Sequence, residues 1–122
     1  MKADQCRRTV LVVEDEWLVR DDIATTLRGA GWHVLEAGSA EGAMEMLAQS
    51  SPVDILFTDI QLGGPISGWD VAEAGRASKP DMAVLYTSGN SSDRSRSVTG
   101  SRFVDKPYNV ADVLRACQAF RR

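Results

Sequence analysis

Short apolar runs recur along the chain, and four of them are followed at once by a side chain capable of chemistry. Thr9-Val10-Leu11-Val12-Val13 leads into Glu14-Asp15-Glu16, and Val53 to Thr58 leads into Asp59. Met82 to Tyr86 leads into Thr87, and Arg102 to Asp105 into Lys106-Pro107. The first run is rich in β-branched residues and does not alternate with polar ones, the pattern of a strand buried on both faces. A sheet buried on both faces needs helices on both sides, and this requirement constrains the fold more than any other feature.

The segments between the runs meet it. Val19, Ile23 and Leu27 recur at helical spacing, with Gly29 and Gly31 to stop the helix. His33-Val34-Leu35-Glu36-Ala37 reads as a second strand. Ser39 then caps a helix whose buried stripe is Ala40, Ala43, Met44 and Leu47. Gln61 to Gly68 is a Gly/Pro loop, followed by a helix from about Trp69 to Ala77. Asn109 caps a last helix with Val113, Leu114, Cys117 and Phe120 at core spacing. This alternation predicts an α/β domain with a parallel, doubly wound sheet of five strands in the flavodoxin-like order 2-1-3-4-5. In that order the first and third strands are neighbours, so Asp15 and Asp59 should lie side by side. The stretch from Ser88 to Ser101 holds six serines, two glycines and one large apolar residue, Val98. Such composition predicts a short or poorly ordered fourth helix.

At 122 residues the chain is long enough for one core and too short for two. Residues 1–8 read as a tail and 9–122 as the domain. No apolar stretch nears the ~20 residues of a membrane span, and no secretory segment opens the chain. Cys6 and Cys117 form no metal-binding spacing, and the reading is two reduced thiols in a cytoplasmic protein. The formal charge of −3 hides an asymmetry. Met1 to Gly75 holds 5 basic and 13 acidic residues, whereas Arg76 to Arg122 holds 9 basic and 4 acidic. The basic residues are scattered, which fits a solvated surface and predicts no direct nucleic-acid binding.

Parallel strands would bring the four polar pieces to one carboxyl edge, where open parallel sheets bind ligands. Crowded carboxylates oppose one another's ionisation, and a divalent cation relieves that cost. An all-oxygen set suits Mg2+, and there is no cluster of His or Cys to suggest zinc. A carboxylate beside such an ion can attack phosphorus and form an aspartyl phosphate. Lys106 and the Thr87 hydroxyl could then meet the phosphoryl oxygens. Pro107 makes Lys106-Pro107 a candidate cis peptide.

VLVVEDE, LFTDIQL, VLYTSGN and FVDKPY, in that order, resemble the receiver domain of two-component response regulators over nearly the whole chain. The resemblance implies that Asp59 is the phosphoacceptor. It implies a Mg2+ site made by Asp15, Asp59 and the main-chain carbonyl of Gln61, with Glu14 assisting through water. Thr87, Lys106 and Ser88 would contact the phosphoryl group, and Thr87 with Phe103 would form the switch. The family's donor is a histidine kinase or a histidine phosphotransfer protein. An output protein would read the switched surface, and a second copy of the chain is a further candidate partner. His33, the sole histidine, lies far from these motifs and reads as a surface strand residue, not a donor.

The chain departs from the family pattern at four places. Gly63 stands where the family usually has a proline four residues after its acceptor, with Pro65 coming later; the loop to Gly68 looks longer by one residue; Trp17 stands where a proline is common; and the fourth helix looks abbreviated. Two other functions were weighed. A phosphatase with an aspartyl-phosphate intermediate needs a general acid two residues after the nucleophile, and Gln61 cannot serve. A phosphorylation-independent receiver-like interaction module would be expected to lack part of the acid, Asp, Thr and Lys set, which is complete here. The expected role is therefore a signalling switch without turnover of an external substrate.

Overall fold

The computed structural model describes residues 8–89 and 93–120. The tail expected at residues 1–8 lies outside them except for Arg8, whose carbonyl accepts the His33 N–H. Five strands form the sheet: β1 (Thr9–Val13), β2 (His33–Ala37), β3 (Ile55–Asp59), β4 (Ala83–Ser88) and β5 (Arg102–Asp105). They are parallel and ordered β2-β1-β3-β4-β5, as the alternation of runs predicts. Four helices complete the fold: α1 (Trp17–Gly29), α2 (Ala40–Ala48), α3 (Gly68–Ser78) and α4 (Val110–Ala119).

The central strands are buried throughout, and period 2 sends alternate residues to opposite faces. Leu11, Val13, Leu56, Val84 and Tyr86 pack under α2 and α3. Val10, Val12, Ile55, Phe57 and Leu85 pack under α1 and α4. The two layers fix how the strand ends fan out above them.

Local signals set the helix ends. Ser39 caps α2 by accepting the Gly42 N–H, and Asn109 forms a reciprocal capping box with Asp112 at α4. Ser67 and Asp70 do the same for α3, one residue earlier than the sequence pattern suggests. α1 stops at Gly29, and Gly31 beyond it takes φ +99°, the left-handed region that favours glycine. Strand β3 starts two residues later than the apolar run because Asp54 turns its carboxylate to the Thr9 N–H.

No helix forms among the described residues between β4 and β5. The segment 93–101 instead runs as turns, with Ser97 N–H donating to the Arg94 carbonyl and Ser101 N–H to that of Val98. Its serines and glycines give a helix little propensity and little to bury. Side chains pin it to the body. Val98 N–H donates to the Tyr86 hydroxyl (3.1 Å), and Arg96 pairs with Asp70 and Glu73 of α3. Arg94 lies 3.8 Å from the Phe103 ring centroid and pairs with Asp105.

Candidate functional site

The carboxyl edge gathers side chains from four strand ends and from the loop after β3. β1 stops at Val13 and the chain continues as Glu14, whose N–H still donates to the Ala37 carbonyl of β2. This tie keeps Glu14 against the sheet, only 3% exposed, while Asp15 and Glu16 turn outward. β3 carries its pairing with β4 one residue further and ends on Asp59, itself 5% exposed. One carboxylate oxygen from each of Glu14, Asp15 and Asp59 lies within 4.8 Å of the others. An all-oxygen group of that size matches the needs of a small divalent cation.

Asp59 is held from two sides. Its Oδ2 accepts from Lys106 Nζ at 2.8 Å, and its Oδ1 from the Gln61 main-chain N–H at 3.2 Å. The Lys106 N–H donates to the Ser88 carbonyl at the end of β4, which ties the lysine to that strand end, and Lys106-Pro107 is a cis peptide. Across the ladder, Asp59 and Thr87 are direct register partners. Thr87 is fully buried, and its hydroxyl has no hydrogen-bond partner. A buried hydroxyl left unpaired has a stability cost.

The electrostatics follow from crowding. Burial pushes the Glu14 carboxyl up to about 7, and the charge on Asp59 and a hydrogen bond with Asp15 add to the rise. The Glu16 N–H and the Lys106 charge oppose it without cancelling it. Partial burial works against the Lys106 ammonium, but the neighbouring Asp59, Glu14 and Glu16 outweigh it and hold its pKa above the ordinary lysine value. Glu14, Asp15, Asp59, Gln61, Ser88 and Lys106 all line one cleft of about 580 Å³, and Trp69 walls one side.

The structure thus brings together Glu14, Asp15, Asp59, Gln61, Thr87, Ser88 and Lys106. Phe103 stands apart from this cleft. It is half-buried in β5, with its ring 5.0 Å from that of Tyr86 and 6.1 Å from that of Trp69. His33 is exposed at the start of β2. The departure at Gly63 has a geometric reason. It takes φ +79°, which proline's ring forbids, and a Cβ there would stand 3.1 Å from Asp15 Oδ2.

Sequence reasoning missed two tyrosines. Tyr86, just before Thr87, is fully buried and anchors the 93–101 segment. Tyr108, two residues after Lys106, lines a groove together with Glu14, and its hydroxyl is buried. The signal for both was an aromatic with a polar tip beside a motif residue, which usually has a partner for that tip.

A family model described as the response regulator receiver domain matches residues 10–118. The probable transcriptional regulatory protein TcrX of Mycobacterium tuberculosis is 30% identical over 99% of this chain and 53% of its own length. The chain spans about half the length of the first curated relatives it matches. A response regulator receiver protein from Sinorhizobium medicae superposes with a TM-score of 0.86 at 32% identity, covering 92% of each chain. The receiver domain of the hybrid histidine kinase CckA does so at 0.78 and 29%, covering 90% of this chain and 95% of its own. TrrA of Thermotoga maritima, solved in complex with Mg2+ and BeF, gives 0.79 and 26%, covering 91% and 96%. The fold, the site at its carboxyl edge and a match that runs from β1 into α4 agree, and the chain belongs to the response regulator receiver domain family.

Proposed function

We propose that this chain accepts a phosphoryl group on Asp59 from a phosphohistidine of a sensor kinase or phosphotransfer protein, and that the transfer switches a partner-binding surface. The observation that carries the reading is the Lys106–Asp59 contact at 2.8 Å inside a cluster of three carboxylates, with the unpartnered Thr87 hydroxyl across the ladder. A purely structural ion pair would need neither the extra acids nor the idle donor.

One Asp59 carboxylate oxygen attacks phosphorus as the P–N bond to the donor imidazole breaks and its electron pair stays on nitrogen. Lys106 then balances charge on a phosphoryl oxygen, and the Thr87 hydroxyl donates to another. Ser88, lining the same cleft, is placed to meet the group as well. Glu14, Asp15, Asp59 and the Gln61 carbonyl would hold Mg2+, which when bound supplies charge neutralisation at the transferring group. Gln61 is exposed two residues from the acceptor and has no acid–base capacity, so the chain acts as a switch rather than a phosphatase.

Movement of Thr87 towards the phosphoryl group would strain β4 where Tyr86 stacks on Phe103. The surface that responds would then be β5 and the 93–101 segment. This is a two-state population shift biased by local charge. Direct nucleic-acid contact is not expected from the described residues, because Arg20, Arg28, Arg94, Arg96 and Arg115 are each paired with acids. No helix among them is long and apolar enough to cross a membrane. A cytoplasmic setting follows from the proposed donor.

The test is incubation with Mg2+ and acetyl phosphate, read by intact mass. One added phosphoryl group is expected, lost in Asp59→Asn with the fold retained. Labelling that persists in this variant would reject the assignment of Asp59.

A further inference from the structure

Beneath the acidic cleft, between α1 and α4, lies a second groove lined by Glu14, Glu16, Lys106, Pro107, Tyr108 and Asn109, among others. We propose that the Tyr108 hydroxyl is the donor that positions the Glu14 carboxylate for a divalent cation, which makes Tyr108 a positioning residue of the site. The inference rests on the cation-binding reading above and adds a residue to it.

The Tyr108 hydroxyl is buried and has no hydrogen-bond partner. Its ring is fixed edge-on against Phe57, centroids 6.4 Å apart at 87°, two residues before Asp59 on β3. Pro107 precedes it, and Asn109, the capping residue of α4, follows. Other polar groups of the groove are committed or exposed. Asn109 Oδ1 accepts from Asp112 N–H, Lys106 Nζ donates to Asp59, and Glu16 and Asp22 face solvent. Glu14 is the buried carboxylate of the groove; its Oε2 accepts the Glu16 N–H, and it shares a hydrogen bond with the neighbouring Asp15.

The tyrosine is suited to donate. Burial, then the charges of Glu14, Asp59 and Glu16, push its phenol up to about 12, so it keeps its proton. Glu14 shares the groove with this unpartnered hydroxyl and is the acceptor it would meet when the site holds a cation. One hydrogen bond to a charged group would then form in the loaded state only.

Tyr108→Phe separates this from a packing role. Three readouts are needed: calorimetric titration with MgCl2, thermal unfolding without Mg2+, and the carboxyl carbon signal of Glu14 by NMR. The variant is expected to bind Mg2+ roughly tenfold more weakly, the scale of one charge-assisted hydrogen bond. Its Mg2+-free melting temperature should be unchanged or raised, since an unpaired buried hydroxyl is gone. The Glu14 signal should move in the Mg2+-loaded protein only. Unchanged affinity, an unmoved Glu14 signal in the loaded protein, or a lowered Mg2+-free melting temperature would each overturn the proposal. A wild-type chain that takes up no Mg2+ would strike the reading of the site itself; a normal wild-type titration matched by the variant strikes Tyr108 alone.

Discussion

The loop after β3 and the segment after β4 both leave the carboxyl edge and both return to the body, but they are fastened by different chemistry. The first closes main chain on main chain: Gly68 N–H donates to the Ile60 carbonyl at 2.7 Å, and a Cβ on Gly68 would stand 2.2 Å from the Asp59 carbonyl oxygen. The second is held largely by side-chain tips, with Arg96 on Asp70 and Glu73, Arg94 on Phe103 and Asp105, and Tyr86 on Val98 N–H. Backbone closure is insensitive to salt and fixes the acceptor. Exposed ion pairs are weak and screened, which suits a surface that must change. Main-chain closure thus holds the loop beside Asp59, and exposed side-chain pairs hold the 93–101 segment.

The comparison can be broken most sharply at Gly68. Gly68→Ala forces a methyl into backbone atoms that cannot yield as a flexible side chain would, so a loss of roughly 3 kcal/mol or more is expected in denaturant unfolding. A change within a few tenths would mean that the loop end is not rigid.

Glu14→Gln tests the chemical side of the same edge. A carboxyl whose folded pKa is raised gives stability that is fully present below its unfolded value near 4.5 and is lost as pH rises through about 7. Without Mg2+, the variant should therefore exceed wild type by about 1–3 kcal/mol at pH 8. The two should converge near pH 4.5, which paired unfolding curves at both pH values would show.

On the looser side the effects shrink. Tyr86→Phe keeps the ring stack and removes only the hydroxyl that accepts Val98 N–H, for about 1 kcal/mol and faster amide exchange at Val98. Arg96→Ala should cost less still, because the pair is exposed and screened by water, and 1 M NaCl should erase the difference. A larger, salt-resistant loss would place the 93–101 segment with the rigid half.

Local signals explain what could be read from the sequence. The bounds of β1, β2 and β5 follow from continuous runs bracketed by polar residues, and Ser39 and Asn109 announce their helices. Asp15, Asp59, Thr87 and Lys106 could be assembled because strand order alone dictates that their strand ends meet. What stayed hidden depends on partners distant in sequence. Arg96 finds its acids 23 and 26 residues away, and no periodicity in a serine-rich stretch foretells that. The start of β3 shifts because Asp54 serves Thr9, 45 residues earlier. Gly63 reads as a missing proline until its left-handed φ is known.

Trp69 touches both halves at once. Its indole walls the acidic cleft on one side and packs at a tilt on Tyr86 on the other, ring centroids 4.7 Å apart. The chain therefore carries its own optical reporter at the junction between chemistry and readout. Trp17, 62% exposed, can be silenced separately by a water-borne quencher. With Trp32, the third indole, replaced by phenylalanine, emission from Trp69 would then report on the surroundings of Asp59 and of Tyr86 in one trace.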